Sequence, residues 1–257
     1  MKYEVTYQSR TNEINVRDYL KPTQLIQYLQ ETAESQITAL DLDYIDLYNK
    51  RRKAFLVSRL GVEIYRPIYR YAKLTGRTWV TEGRAANFPR AYELYCDGEA
   101  VARAYSNWAL VDVDTRRLIR FKDYDCSAYP VDELPAMRIP ERFRIPGDVP
   151  LHFCGVVSVG FSLTDINRHM NNTQYFNILY DRIPDVDLFD VTSINIRFVH
   201  EAAYGNEMEI YRSEIVWKSD QEGLVGGLDP AAEGVIFFRS QTDGETNVEA
   251  VYGLRKY

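Results

Sequence analysis

The chain has 257 residues, 46% of them hydrophobic and 26% charged, enough apolar material for one large core or for two domains of about 125 residues each. A formal net charge of −6 gives nucleic-acid binding no global electrostatic support, so any acidic partner would have to meet a local basic patch. The three cysteines, Cys96, Cys126 and Cys154, are odd in number, widely spaced and free of any CxxC or other metal-ligand pattern; they predict a reducing cytoplasm, no metal and no cofactor.

The opening stretch MKYEVTYQSR carries no apolar signal region, and no window approaches 18 apolar residues, so neither secretion nor membrane insertion is expected. YEVTYQSR reads as a strand. Pro22 then opens PTQLIQYLQETAESQITAL, where Leu25, Leu29, Ala33, Ile37 and Leu40 recur at three- and four-residue steps, the mark of a helix with one buried face. Strand candidates follow in AFLVSRLGVEIY, KLTGRTWVTEGR, RAYELYC and AVARAYSNWALVDV. Five of the ten prolines (Pro130, Pro135, Pro140, Pro146 and Pro150) then fall within PVDELPAMRIPERFRIPGDVP, an extended connector read as a domain linker. Beyond it FCGVVSVGFSL leads to TDINRHMNNTQYFNILYD, with a helix predicted from about Asn172 to Tyr180 and stopped before Pro184. VTSINIRFV alternates Ile194, Ile196 and Phe198 with polar residues, and EMEIYRSEIVW, GVIFFRSQ and VEAVYGL complete the strands.

Strand, helix and several antiparallel strands, twice over, is most economically an α+β fold of two curved antiparallel sheets, each wrapped around its own central helix. The boundaries expected are 1–128 for the first half, 129–150 for the linker and 151–257 for the second half. Identity between the halves is faint, so the repeat is architectural.

Asp165, Asn167 and His169 lie at i, i+2 and i+4 just ahead of the second helix. An extended backbone there would put the three side chains on one face. A carboxylate, an amide and an imidazole beside free helix N–H groups suit acyl transfer or hydrolysis. The same residue types also cap helices, and a lone imidazole often satisfies a local hydrogen bond. Capping needs one such residue, whereas Asp165, Asn167, His169, Asn171 and Asn172 make five. Glu201, at the end of the alternating strand, is ordinarily a solvated turn acid; a sheet wrapped around the helix would instead bring it to the cluster as a general base.

The run DINRHMNNTQYFNILYD resembles the signature of acyl-acyl carrier protein thioesterases, with its D-x-N-x-H-x-N-N core. KPTQLIQYLQETAESQ resembles that family's first central helix. TGRTWVTEGRAANFPRAYEL and DGEAVARAYSNWALVDVDTRRLIRF resemble its N-terminal strands. The resemblance implies a tandem hot-dog fold, an N-terminal half holding the acyl chain and a C-terminal half holding the chemistry. It implies hydrolysis of a fatty acyl thioester on acyl carrier protein, with Asp165, Asn167, His169 and Glu201 as the catalytic set. In one division of roles Glu201 activates the water, Asn167 and His169 position it and stabilise the oxyanion, and Asp165 orients its neighbours; exchanging the roles of His169 and Glu201 fits the sequence equally well. Plant members often carry cysteine after the glutamate. Here Ala202 stands there, flanked by His200 and Ala203, which disfavours a thiol acyl-enzyme. The lack of a transit-like leader suggests the bacterial type.

Acyl carrier protein is therefore the expected partner, with no nucleic acid and no membrane. A homodimer stays open beside pairing of the two copies within one chain. Tyr28, Leu29, Trp79, Phe88 and Tyr92 are candidates for the acyl-chain wall, although each suits an ordinary core. NKRRK (49–53) and TRRLIRFK (115–122) are candidate contacts for an acidic carrier. The rival readings are an acyl-coenzyme A thioesterase, an R-specific enoyl hydratase, whose D-x-N-P-x-H motif has one residue more, and a non-catalytic acyl-binding protein.

Overall fold

A computed structural model describes residues 2–40, 44–129 and 131–257. Pro130, one of the five connector prolines, lies outside them. The chain divides into two compact units, Met1–Met137 and Arg138–Tyr257.

In the first unit, β1 (Tyr3–Gln8) leads to α1 (Pro22–Ala39) and the short α2 (Tyr44–Asn49). Four long strands follow: β2 (Lys53–Ile64), β3 (Lys73–Val80), β4 (Asn87–Cys96) and β5 (Glu99–Asp112), with a two-residue β6 (Leu118–Ile119). The sheet order is β1-β3-β4-β5-β2, antiparallel throughout, and β6 pairs with β5. Pro22 stands at the start of α1, where its missing N–H costs nothing. Leu25, Ile26, Leu29 and Ala33 are buried, so α1 lays one face across β3, β1 and β4. Burial of each large side chain contributes about 2 kcal/mol. The helix lies close because β3 has glycine at position 76: a Cβ there would collide with Thr32 Oγ1. Thr32 is in turn fixed by the Tyr7 hydroxyl at 3.0 Å and the Tyr28 carbonyl at 2.7 Å. Leu47 of α2, Phe88 of β4 and Leu110 of β5 form a second cluster with Phe55, Phe121 and Tyr124.

The second unit repeats the order. It contains β7 (His152–Ser158), α3 (Asn172–Tyr180), β8 (Phe189–Phe198), β9 (Glu207–Arg212), β10 (Val216–Trp217), α4 (Glu222–Leu228), β11 (Gly234–Thr242) and β12 (Glu245–Lys256). The antiparallel order is β8-β12-β11-β9-β7, with β10 on β11. Each unit is thus a hot-dog, one curved sheet around one helix. The helix α3 is held by the Tyr252 hydroxyl, which donates to the Phe176 carbonyl at 3.2 Å, and by Tyr175 packed edge-on against Phe198.

The proline-rich segment is not a free connector along its whole length. The unit boundary falls inside it, and Phe143 and Val149 are buried with Val225, Ala232, Val235, Phe237 and Val251. This packing covers β11 on a second face, which is why GVIFF is a continuous apolar run rather than an alternating one. EMEIYRSEIVW, expected as one strand, is split into β9 and β10. At the break the Ser213 hydroxyl accepts the Phe237 N–H at 3.0 Å. Among the described residues no helix is long and apolar enough to cross a membrane.

Candidate active site

The segment from Thr164 to Met170 is a closed turn, so the extended backbone that would put Asp165, Asn167 and His169 on one face is not formed. Thr164 and Met170 bridge its ends, Asp165 N–H donates to the His169 carbonyl at 2.8 Å, and Arg168 N–H returns to the Asp165 carbonyl at 3.0 Å. The Asp165 carboxylate does not point outward with its neighbours. Its Oδ1 turns in and accepts the N–H groups of Asn167 at 2.8 Å and His169 at 3.3 Å. These side-chain-to-backbone bonds outcompete an extended conformation, the usual behaviour of aspartate in a turn. Arg168 completes the turn at φ 62°, a left-handed conformation costing a non-glycine residue about 1 kcal/mol.

Docking of this turn on the chain beyond β8 brings the two halves of the site together. Met170 N–H donates to the Ala202 carbonyl at 2.8 Å, Tyr204 N–H donates to the Arg168 carbonyl at 2.9 Å, and His169 bridges Ala203. The register sets Glu201, three residues past the end of β8, against His169. Glu201 Oε2 lies 3.0 Å from His169 Nδ1. The imidazole is 35% exposed and the carboxylate 57%, so solvent reaches both. Asn167 is exposed, and its side-chain amide makes no hydrogen bond to the described residues. At the start of α3, Asn171 caps Thr173 through N–H at 2.9 Å and hydroxyl at 2.7 Å, and its carbonyl takes the Gln174 N–H at 2.9 Å. The first-turn amide of Asn172 is left without an acceptor among the described residues.

The first unit builds the same turn from other residues. Asn15 N–H donates to the Tyr19 carbonyl at 2.7 Å, and Asn15 Oδ1 accepts the N–H groups of Arg17 at 2.9 Å and Tyr19 at 3.1 Å. Asp18 stands at φ 63°, Leu20 N–H donates to the Ile68 carbonyl at 2.7 Å, and Tyr19 bridges Tyr69. Position by position, Asn15 matches Asp165, Arg17 matches Asn167, Tyr19 matches His169 and Pro67 matches Glu201. The frame is common to both units, while the imidazole and the facing carboxylate belong to the second alone.

Model descriptions of the acyl-ACP thioesterase N-terminal domain and C-terminal domain match residues 1–129 and 156–243. The chain belongs to the acyl-ACP thioesterase family. It is 27% identical over 255 residues to the chloroplastic acyl-[acyl-carrier-protein] hydrolase FATB3 of Cuphea viscosissima, covering 91% of this chain and 57% of that protein. The chain thus spans little more than half the length of the curated relative it matches. Its fold is that of an acyl-ACP thioesterase from Bacteroides thetaiotaomicron (TM-score 0.80, 20% identity, 98% of each chain). The 12:0-ACP thioesterase from Umbellularia californica shares it too (TM-score 0.81, 14% identity, 100% of this chain and 98% of that one).

In this member of the family burial pushes all three thiols above the ordinary cysteine range, and Cys154 in the second unit donates to the Ile210 carbonyl. Ala202, the residue after Glu201, is fully buried. One residue the sequence did not single out is Tyr175, a buried α3 residue whose phenol lies near Glu201 and the backbone of Ala202. Burial drives its phenol strongly upward. Its place four residues after Asn171, on the inner helix face, was the available signal. Of the suggested acyl-wall residues, Leu29, Trp79, Phe88 and Tyr92 are buried. Tyr28 instead lines a cleft of about 500 Å³ with residues 6–11 and Tyr71, where its hydroxyl donates to Glu13 at 2.5 Å.

Proposed function

We propose that the protein hydrolyses the thioester of fatty acyl-acyl carrier protein to a free fatty acid and the carrier thiol, with Asn167, His169 and Glu201 as the reacting set and Asp165 as the residue that shapes their turn. The observation that carries the reading is the 3.0 Å contact between His169 Nδ1 and Glu201 Oε2 on a frame that the first unit builds without either residue. An ionised carboxylate only accepts hydrogen bonds, so it selects the imidazole tautomer with the proton on Nδ1 and the lone pair on Nε2. Nε2 then takes a proton from water as the oxygen attacks the thioester carbonyl, and Glu201 stabilises the imidazolium that forms. Asn167 and the free N–H of Asn172 suit the tetrahedral oxyanion. Collapse breaks the C–S bond, and the imidazolium returns its proton to the departing thiolate. Of the two divisions of roles compatible with the sequence, this geometry favours imidazole as base.

A cysteine acyl-enzyme is disfavoured by the raised thiols and by Ala202 beside the acid. We assign the acyl-chain site to the N-terminal hot-dog, 1–128, and the chemistry to 151–257, a division supported by the family resemblance and by the unmatched residues of the second turn. Three unpaired cysteines favour a reducing cytoplasm.

The test is thiol release from matched C8 to C18 panels of acyl-carrier protein and acyl-coenzyme A, for the wild type and Glu201→Ala. Faster release from the carrier substrates, reduced about 10²–10⁴-fold in the variant, supports the proposal. Preference for coenzyme A would transfer the activity to the rival thioesterase class, and turnover of neither panel would remove it.

A further inference from the structure

We infer that the end of the first unit's sheet where β2 begins and β5 ends is the docking surface for the acidic carrier protein; the inference rests on the carrier-dependent reading above. Two basic runs far apart in sequence meet there. The β2–β5 register pairs Lys53 with Asp112, and Val113 N–H donates to the Arg52 carbonyl at 2.9 Å. The turn after β5 folds back, with Arg116 N–H on the Asp112 carbonyl at 2.8 Å and Asp112 N–H on the Arg117 carbonyl at 2.9 Å. Leu118 then pairs with Val111 in β6. Residues 50–53 and 116–122 therefore share one surface.

Of its eight cations, three are spoken for: Lys50 by Asp46 at 2.6 Å, Arg52 by Asp114 at 2.7 Å and Arg120 by Asp123 at 2.6 Å. That leaves five, Arg51, Lys53, Arg116, Arg117 and Lys122, with no ion pair among the described residues. Asp112 is held by the N–H and hydroxyl of Thr115, each at 2.8 Å, which keep its carboxyl below the ordinary range, and it also feels the charge of Lys53 opposite it, so Arg51, Arg116, Arg117 and Lys122 are the cations with no facing carboxylate among the described residues. Leu118 is 60% exposed in the midst of these charges. An exposed apolar side chain beside cations that lack ion pairs, on a chain of net charge −6, is a surface for an acidic protein. In a symmetric dimer the same patch of a second copy would meet it, so cation would face cation and be desolvated without counter-charges.

The experiment compares Arg116→Glu/Arg117→Glu with Arg70→Glu/Lys73→Glu. The control makes the same change in net charge where β3 begins, at the other end of the same sheet. Calorimetric affinity for apo-carrier protein, which has no thioester, reads docking; turnover of an acyl-N-acetylcysteamine thioester reads the chemistry without a carrier. The expected result is that the first variant loses about tenfold or more in carrier affinity at low salt while the control does not, and that both turn over the small thioester at the wild-type rate. The loss shrinks as salt screens the pair. Equal carrier affinity in the two variants would overturn the surface. Failure of the wild type on the small thioester would count against the hydrolase reading and leave the affinity comparison to decide the surface.

Discussion

Asp165 is the member of the proposed set to which we give a shaping rather than a reacting role, and replacing it gives a graded prediction. In Asp165→Ala the N–H groups of Asn167 and His169 lose their acceptor, at 2.8 and 3.3 Å. A hydrogen bond of this kind contributes about 1 kcal/mol net, and the longer one less, so the turn loses about 1.5–2 kcal/mol. That corresponds to roughly a 10–30-fold shift away from the conformation that carries His169. Asp165→Asn keeps an oxygen at the same place, and Asn15 shows an amide oxygen holding the equivalent turn at 2.9 and 3.1 Å. Urea denaturation and thiol release, measured side by side, should show the alanine variant less stable and at least about tenfold less active, with the asparagine variant within a few-fold of wild type in both. An asparagine variant as inactive as alanine but with undiminished stability would refute the reasoning, because the charge itself would then be required.

Gly76→Ala sets a methyl against Thr32 Oγ1, a stiff β-branched side chain held by two hydrogen bonds, so α1 must lift from β3. The cost should be about 1–3 kcal/mol, read as a lower Tm. The thiols make a pH prediction. Each is raised by burial, so below about pH 9 the thiolate is scarcer than in free cysteine. Iodoacetamide at pH 8 should label Cys96, Cys126 and Cys154 slowly by mass spectrometry, faster as pH rises, and leave thiol release intact; rapid labelling of one cysteine with loss of activity would contradict this.

The helices that bury one strong face were legible in the sequence. Pro22 with the leucine spacing marked α1, and Asn172 with Pro184 downstream bracketed α3. Less legible were α2 and the glycine-rich α4, which lack such a stripe and owe their place to a few packed residues such as Leu47 and Val225. The backbone at 165–169 could not be read from the alternating polar residues, because a single carboxylate closing two N–H bonds decides it. Phe143 and Val149 sit among prolines, and nothing local announces that they cover a sheet. For the site, the local pattern marks Glu201 only as an acid at a strand end, and the family resemblance supplies its candidate role. Its partner was fixed by long-range pairing, Met170 with Ala202 and His169 with Ala203, which a linear pattern does not encode.

The central claim is that His169 and Glu201 act as one unit through their 3.0 Å contact. The most direct measurement is a double-mutant cycle on kcat for fatty acyl-carrier protein, with His169→Ala, Glu201→Ala and the double variant, each verified as folded. If the acid acts through the imidazole, removing it from a chain that already lacks His169 costs little, and the double variant matches His169→Ala. Losses that add in full across the two positions would mean that the residues work separately, and the dyad would be wrong.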